Sequence, residues 1–222
     1  MGPGISTCGS TRKSSERLSN TNADMELHGK RIILASGSPR RKEILEGMDI
    51  SFTIDTENTF REEYSPDTPH EQIPLLMSEG KSHGFHRPLE DDEILVTSDT
   101  MVLCRGQILG KPSGREDAVR MLRLISGHVH RVVTAVTIRD SVHEKSFSDT
   151  AYVHFRELSD SEIEYYVDKY SPFDKAGAYA IQEWIGYTGI TKIDGSYYTI
   201  MGLPAHRVYE ELQKFISPGS AD

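Results

Sequence analysis

Four short segments combine residue types that bind anions, hold cations or move protons. The first is Leu34-Ala-Ser-Gly-Ser-Pro-Arg-Arg-Lys-Glu43. An apolar run ends here, small residues turn, and Ser38-Pro39 marks a helix start with Ser as N-cap and Pro in the first position. Arg40 and Arg41 then fall in the first turn, where the helix dipole disfavours cations. Their placement makes sense if an anion sits between them and the free N–H groups, with Ser36 and Ser38 as added hydroxyl donors. The second segment is Val96-Thr-Ser-Asp-Thr100. Asp99 lies at the end of an apolar strand, where open α/β sheets place active groups, and can hold a divalent cation or activate a water.

The third segment, Gln107-Ile-Leu-Gly-Lys-Pro112, supplies Lys111 as a point charge for phosphate. Gly106 to Lys111 is not a P-loop: that motif needs four residues between its glycines and Ser or Thr after the Lys, and this chain has three and then Pro112. The fourth, Asp174-Lys-Ala-Gly-Ala-Tyr-Ala-Ile-Gln182, surrounds Tyr179 with small residues that allow close approach to a ligand. Gln182 offers both a donor and an acceptor, as reading a base edge requires. Taken singly, each segment also fits a capped helix, a turn or a packed loop. His83 with His86, and His128 with His130, have zinc-like spacing but no accompanying Cys or carboxylate pattern. There is no Gly-x-Ser-x-Gly elbow. Cys8 and Cys104, far apart, suggest neither a disulfide framework nor a zinc motif.

The elements that must position these residues follow from periodicity. Strands are expected at 31–35, 51–54 and 93–97. Arg105-Gly106 should turn a hairpin between 101–104 and 107–109. Helices are expected from Ser38-Pro39, over about 70–85 after Asp67-Thr68-Pro69, and over 114–126, where Ala118, Met121, Leu122 and Ile125 share a face. Stretches 129–139 and 146–156 read as a long antiparallel hairpin. Ser159-Asp-Ser-Glu162 resembles a capping box opening a helix to about 169. Gly195 to Ile200 reads as a strand, and Leu203-Pro204 opens a last helix to about 215. βα units around a central hairpin indicate an α/β or α+β chain with a mixed sheet and flanking helices.

The chain has 222 residues and a net charge of −9. Residues 1–30 are rich in Ser, Thr, Asn and Gly and carry four basic and three acidic side chains, which leaves −10 on the rest. They are expected to be a disordered leader, because they hold too little apolar surface to fold alone. No window has the apolar length of a membrane span. The acidic balance argues against nucleic acid as a partner. Reduced cysteines point to the cytoplasm.

In this order, the segments Leu34–Arg41, Ser98–Thr100, Leu109–Pro112, Lys175–Gln182, Gly195-Ser-Tyr-Tyr198 and Gly202-Leu-Pro204 resemble the Maf family of septum formation proteins over about residues 31–216. The resemblance implies a fold similar to the Ham1 family: a central mixed twisted sheet flanked by helices, with an active-site cleft between two lobes. It implies one catalytic domain over 31–217 and a short tail over 218–222. The implied activity is nucleoside triphosphate hydrolysis between the α and β phosphates, giving a monophosphate and pyrophosphate, with Mg²⁺ or Mn²⁺. Asp99-Thr100 and Ala178-Tyr-Ala-Ile-Gln182 look like the dTTP/UTP type rather than the 7-methyl-GTP type. By the same resemblance Asp99 matches the catalytic acid, which takes a proton from water or ligates metal. Ser36, Arg40 and Arg41 match the phosphate-binding turn, with Ser38 beside them, and Lys111 a lysine facing the phosphates. Arg40, Thr100 and Gln182 match positions tied to base selectivity. Glu62 matches an acidic loop residue and second metal ligand, with Glu63 one step away. Lys81 matches a helix lysine, although Ser78-Glu-Gly-Lys81 departs from the usual Leu-Ala-x-x-Lys-Ala. Tyr198-Thr199 stands where Tyr-Asn is common. A homodimer is expected. The alternative reading is a non-catalytic nucleotide-sensing interaction protein in cell-division control.

Overall fold

The computed structural model of the protein describes residues 27–217. Of the expected leader, only 27–30 fall among them: the Lys30 N–H donates to the Leu27 carbonyl at 2.8 Å, and Leu27 packs on the core. The rest of the leader, the tail over 218–222 and Cys8 lie outside the described residues.

In chain order the elements are β1 (Arg31–Leu34), α1 (Pro39–Gly47), β2 (Phe52–Ile54), α2 (Ile73–His83), β3 (Glu93–Cys104), β4 (Gln107–Leu109), α3 (Arg115–Ile125), β5 (Val129–Arg139), β6 (Glu144–Phe155), α4 (Asp160–Tyr170), α5 (Trp184–Gly189), β7 (Ile190–Asp194), α6 (Tyr197–Met201) and α7 (Ala205–Ile216). A 3₁₀ turn, His70–Gln72, precedes α2, so the regular helix starts three residues later than the Pro69 signal suggests. The sheet order is β2-β1-β3-β5-β6-β7, with β4 paired to β3. β2, β1 and β3 run parallel; the other pairings are antiparallel. This is the mixed sheet with flanking helices that the element order implies.

β3 organises the molecule. Side chains alternate along a strand, and here both faces are covered. Ile94, Val96, Val102 and Cys104 join the main core. Met101 and Leu103 face the other way, with Ile73 and Met77 of α2. The sequence reading breaks this strand at Ser98–Thr100. The structure does not: Leu95 to Leu103 pair without interruption with Arg139 to Arg131 of β5. Asp99 therefore sits mid-strand. It is nonetheless open to a cleft, because β1 ends at Leu34 opposite Val96 and leaves the following part of β3 uncovered on that side.

The expected strand over Gly195–Ile200 is also corrected. β7 ends at Asp194, and α6 takes Tyr197–Met201. Local β propensity is outweighed by tertiary hydrogen bonds. The Thr199 carbonyl accepts from the Thr134 hydroxyl at 2.8 Å, and the Thr199 hydroxyl bonds the Asp149 carboxylate. Gly202 closes α6 in a left-handed conformation at φ +112°. Two expectations hold at the residue level. Ser159 and Glu162 form the capping box of α4. Arg105 and Gly106, at φ +51° and +78°, turn the β3–β4 hairpin.

Candidate active site

A cleft of about 710 Å³ opens where β1 ends. Its floor is the turn 35–38 and the start of α1. Ser38 has the extended backbone of an N-cap, but its side chain does not cap the helix, contrary to the sequence expectation. Ser36 takes over locally: its Oγ accepts from the Ser38 N–H at 3.3 Å and from Arg41 Nη1 at 3.1 Å. α1 thus presents its first-turn N–H groups to the cleft without a side-chain cap, as an anion site requires.

The alternation of β3 divides the site into two supports. On the face away from α2, the Ser98 hydroxyl donates to the Gly202 carbonyl at 3.1 Å. The same carbonyl accepts from Arg41 Nε at 2.9 Å, and Arg41 Nη2 donates to Thr100 Oγ1 at 3.3 Å. Burial pushes the Arg41 guanidinium down to about 10, against the attraction of Asp99; it stays charged at neutral pH. The Thr134 hydroxyl donates to Thr199, so the 2.9 Å contact between Thr100 and Thr134 uses the Thr100 proton. Thr100 therefore braces Arg41 and β5 and has no proton left for a ligand.

On the α2 face, Lys81 Nζ donates to Asp99 Oδ1 at 2.6 Å and pairs with Glu62 Oε1 at 2.8 Å. α2 is docked by polar contacts one turn earlier. The Thr97 hydroxyl donates to the Ser78 carbonyl at 2.7 Å, and Ser78 Oγ meets Thr137 Oγ1 at 3.0 Å. The loop carrying Glu62 is docked on α2 in turn: Asn58 Nδ2 donates to the Lys81 carbonyl at 2.6 Å. Phe60 lies against Gly80, where a Cβ would come within 2.2 Å of the ring. That packing accounts for the glycine in Ser78-Glu-Gly-Lys81. Glu62, not Glu63, reaches Lys81, whose ammonium holds the Glu62 carboxyl below the usual carboxylate range. Both carboxylates meet one ammonium, so their oxygens converge on one point. These are hard donors of the kind Mg²⁺ and Mn²⁺ take. No group of three or more His, Cys, Asp or Glu side chains that could hold a metal ion is found among the described residues. A bound cation would draw its remaining ligands from water and phosphate, as Mg²⁺ commonly does.

The opposite wall is the segment 174–182 together with Lys111. Lys111 is exposed at the cleft. Arg40 Nη1 lies 3.6 Å from Asp174 Oδ2. Lys175, which sequence reasoning left without a role, lines the cleft and pairs with Asp174 at 2.8 Å and Glu183 at 3.5 Å. Gln182 Oε1 is buried without a hydrogen-bond partner among the described residues. Gly177 and Ala178 are consecutive left-handed residues at φ +72° and +58°. At Gly177 a Cβ would press on Val102 at 3.1 Å. The cleft thus gathers Ser36, Ser38, Arg40, Arg41, Glu62, Lys81, Asp99, Thr100, Lys111 and Gln182.

The histidines go elsewhere. His83 pairs with Glu144 at 2.7 Å and His86 with Asp55 at 3.0 Å. His128 bonds the Ser126 carbonyl. His130, 1 % exposed, lies behind the cleft with Nε2 2.8 Å from the Tyr179 hydroxyl. Burial, helped by His154, pushes its pKa down to about 4. Between pH 6.5 and 4 the folded protein keeps this ring neutral while the unfolded chain protonates it. The unfolded state then binds more protons, so this contribution to stability is lost as pH falls through that window. At 1.36 kcal/mol per unit it reaches about 3 kcal/mol. Urea unfolding of wild type and His130→Gln at pH 7 and 4.5 checks it: the variant is expected to lose less stability on acidification.

With the geometry in place, comparison with known proteins fixes the class. A family model described as Maf-like protein matches residues 31–215. The chain belongs to the Maf-like family. Among its relatives is the dTTP/UTP pyrophosphatase of Porphyromonas gingivalis, 46 % identical over 187 residues, 83 % of this chain and 94 % of that protein. The protein of the same name from Bacteroides thetaiotaomicron is 48 % identical over 183 residues, covering 82 % and 95 %. That of Cytophaga hutchinsonii is 44 % identical over 192 residues, covering 86 % and 87 %.

Proposed function

We propose that this chain hydrolyses the α–β phosphate bond of dTTP, UTP and related pyrimidine nucleoside triphosphates, releasing a nucleoside monophosphate and pyrophosphate. It is a hydrolase acting on acid anhydrides. The observation that carries this reading is the carboxylate Asp99 set among Arg40, Arg41, Lys81 and Lys111 at a helix N-terminus, in a family whose relatives bear that name. An acidic protein needs local cations of this kind to hold a triphosphate.

The division of labour follows the two supports. The α1 N-terminus with Ser36, Ser38, Arg40 and Arg41 binds the phosphates, and Lys111 closes on them from the opposite wall. Water attacks the α-phosphorus, the bond to the bridging oxygen breaks, and pyrophosphate leaves. Asp99 takes the proton from the attacking water. Lys81 orients Asp99 and offsets the charge that develops. Asp99 and Glu62 would hold Mg²⁺ or Mn²⁺, which when bound neutralises phosphate charge and lowers the pKa of water. Gln182 has the donor and acceptor to read a pyrimidine edge, and Arg40 lines the same cleft. Thr100 contributes by fixing Arg41. A homodimer in the cytoplasm completes the reading; light scattering of the purified chain tests the assembly.

The decisive assay is hydrolysis of canonical and modified nucleoside triphosphates with Mg²⁺, with Mn²⁺ and with chelator, identifying the phosphate product. Pyrophosphate from dTTP and UTP, lost with chelator, is expected. Preference for 7-methyl-GTP would overturn the role of Gln182 as the reader of a pyrimidine edge. Absence of turnover on every nucleotide would overturn the enzymatic reading.

A further inference from the structure

Gln182 is presented by a turn with little regular structure of its own. Two consecutive residues before it are left-handed, and Ala178, with a Cβ, is disfavoured there. Such a backbone persists only when its surroundings over-determine it. Of the groups that hold this segment, Lys175 and Tyr179 line the cleft, while Tyr166, His130 and Phe155 do not. Tyr166, on α4, is 0 % exposed and does not line the cleft. Its hydroxyl accepts from the Ala180 N–H at 3.1 Å and donates to the Glu183 carboxylate. One oxygen thus ties the residue two before Gln182 to the residue just after it. Glu183 is engaged again by Lys175 at 3.5 Å. From the other side, the Tyr179 ring is set edge-on to His130 and Phe155, with its hydroxyl on His130.

We infer that Tyr166 is a positioning residue for pyrimidine recognition: its hydroxyl clamps the 180–183 turn and so fixes the Gln182 amide at the cleft wall. It touches neither substrate nor reacting atoms, and the inference rests on reading Gln182 as the base contact. The hydroxyl fits the task because one O–H can accept from a backbone donor and donate to a carboxylate at once. Phenylalanine keeps the ring but leaves a backbone N–H and a carboxylate oxygen without their partner.

The test is Tyr166→Phe, Gln182→Ala and the double variant, assayed with dTTP and UTP, together with amide hydrogen exchange over 178–183. Tyr166→Phe is expected to speed exchange at Ala180 at least tenfold and to raise KM for both nucleotides about tenfold, with kcat within threefold of wild type. It is expected to add nothing to KM in the Gln182→Ala background. Faster exchange at Ala180 with KM unchanged, while Gln182→Ala alone raises KM, would overturn the inference and leave the reading of Gln182 standing. Additive effects in the double variant would overturn it too. Gln182→Ala without effect on KM would overturn the reading of Gln182 and the inference with it.

Discussion

Asp99→Asn is expected to lower kcat for dTTP about 10³-fold, within the 10²–10⁴ range for loss of a general base, while the protein stays folded. The amide matches the carboxylate in shape, and its oxygen still accepts from Lys81, now 2.6 Å away. What is lost is the capacity to take a proton and half of the carboxylate pair that converges on that ammonium. Lys81 keeps Glu62, so no cation is stranded, and the stability change should stay within about 1 kcal/mol. Single-turnover kinetics and thermal unfolding of the same preparation check both halves. A folded variant within tenfold of wild-type kcat would take Asp99 out of the chemistry.

The largest expected effect on stability is at Gly186, in the first turn of α5. A Cβ there would lie 1.8 Å from the Ile181 carbonyl oxygen and 2.6 Å from its carbon. Both are backbone atoms, so no rotamer relieves the overlap; the helix or the 181–182 backbone must move. Gly186→Ala should therefore cost about 3 kcal/mol or more, a fall in Tm of roughly 6–12 °C for a chain of this size. The displaced backbone is the one that carries Gln182, so KM should rise along with the loss of stability. Gly47→Ala is the control: its Cβ meets nothing within 4 Å. It should leave Tm unchanged or slightly raised, because Ala is the better helix former. Equal melting temperatures for the two variants would contradict the close approach at Ile181.

The elements with strong local signals were legible in the sequence. The capping box of α4, the apolar face of α3 and the Arg105-Gly106 turn each depend on residues a few positions apart. Two segments misled for opposite reasons. Ser98-Asp-Thr100 looks like a break, yet pairing with β5 carries the strand through it. Tyr197 to Ile200 looks like a strand, yet Thr134 and Asp149, 65 and 50 residues before Thr199, hold it as a helical turn. The site residues were legible as types, and every candidate faces one cleft. Their partners were not. Nothing local to Arg41 announces the carbonyl of Gly202, 161 residues on, and nothing local to Asp99 announces Lys81. The sequence reading assigns Tyr166 no role, and only its hydrogen bonds to the 180–183 turn give it one.

Asp99 and Thr100 are adjacent in the chain but lean on different parts of the molecule, one on Lys81 of α2 and the other on Arg41 beside Gly202. A mutation that reshapes the Thr100 side passes no strain through a shared side chain to the carboxylate. The support of the carboxylate and the support of the guanidinium can then change separately over descent. A single-residue insertion in this strand would be another matter: it would exchange the two sides at a stroke and leave neither in working order.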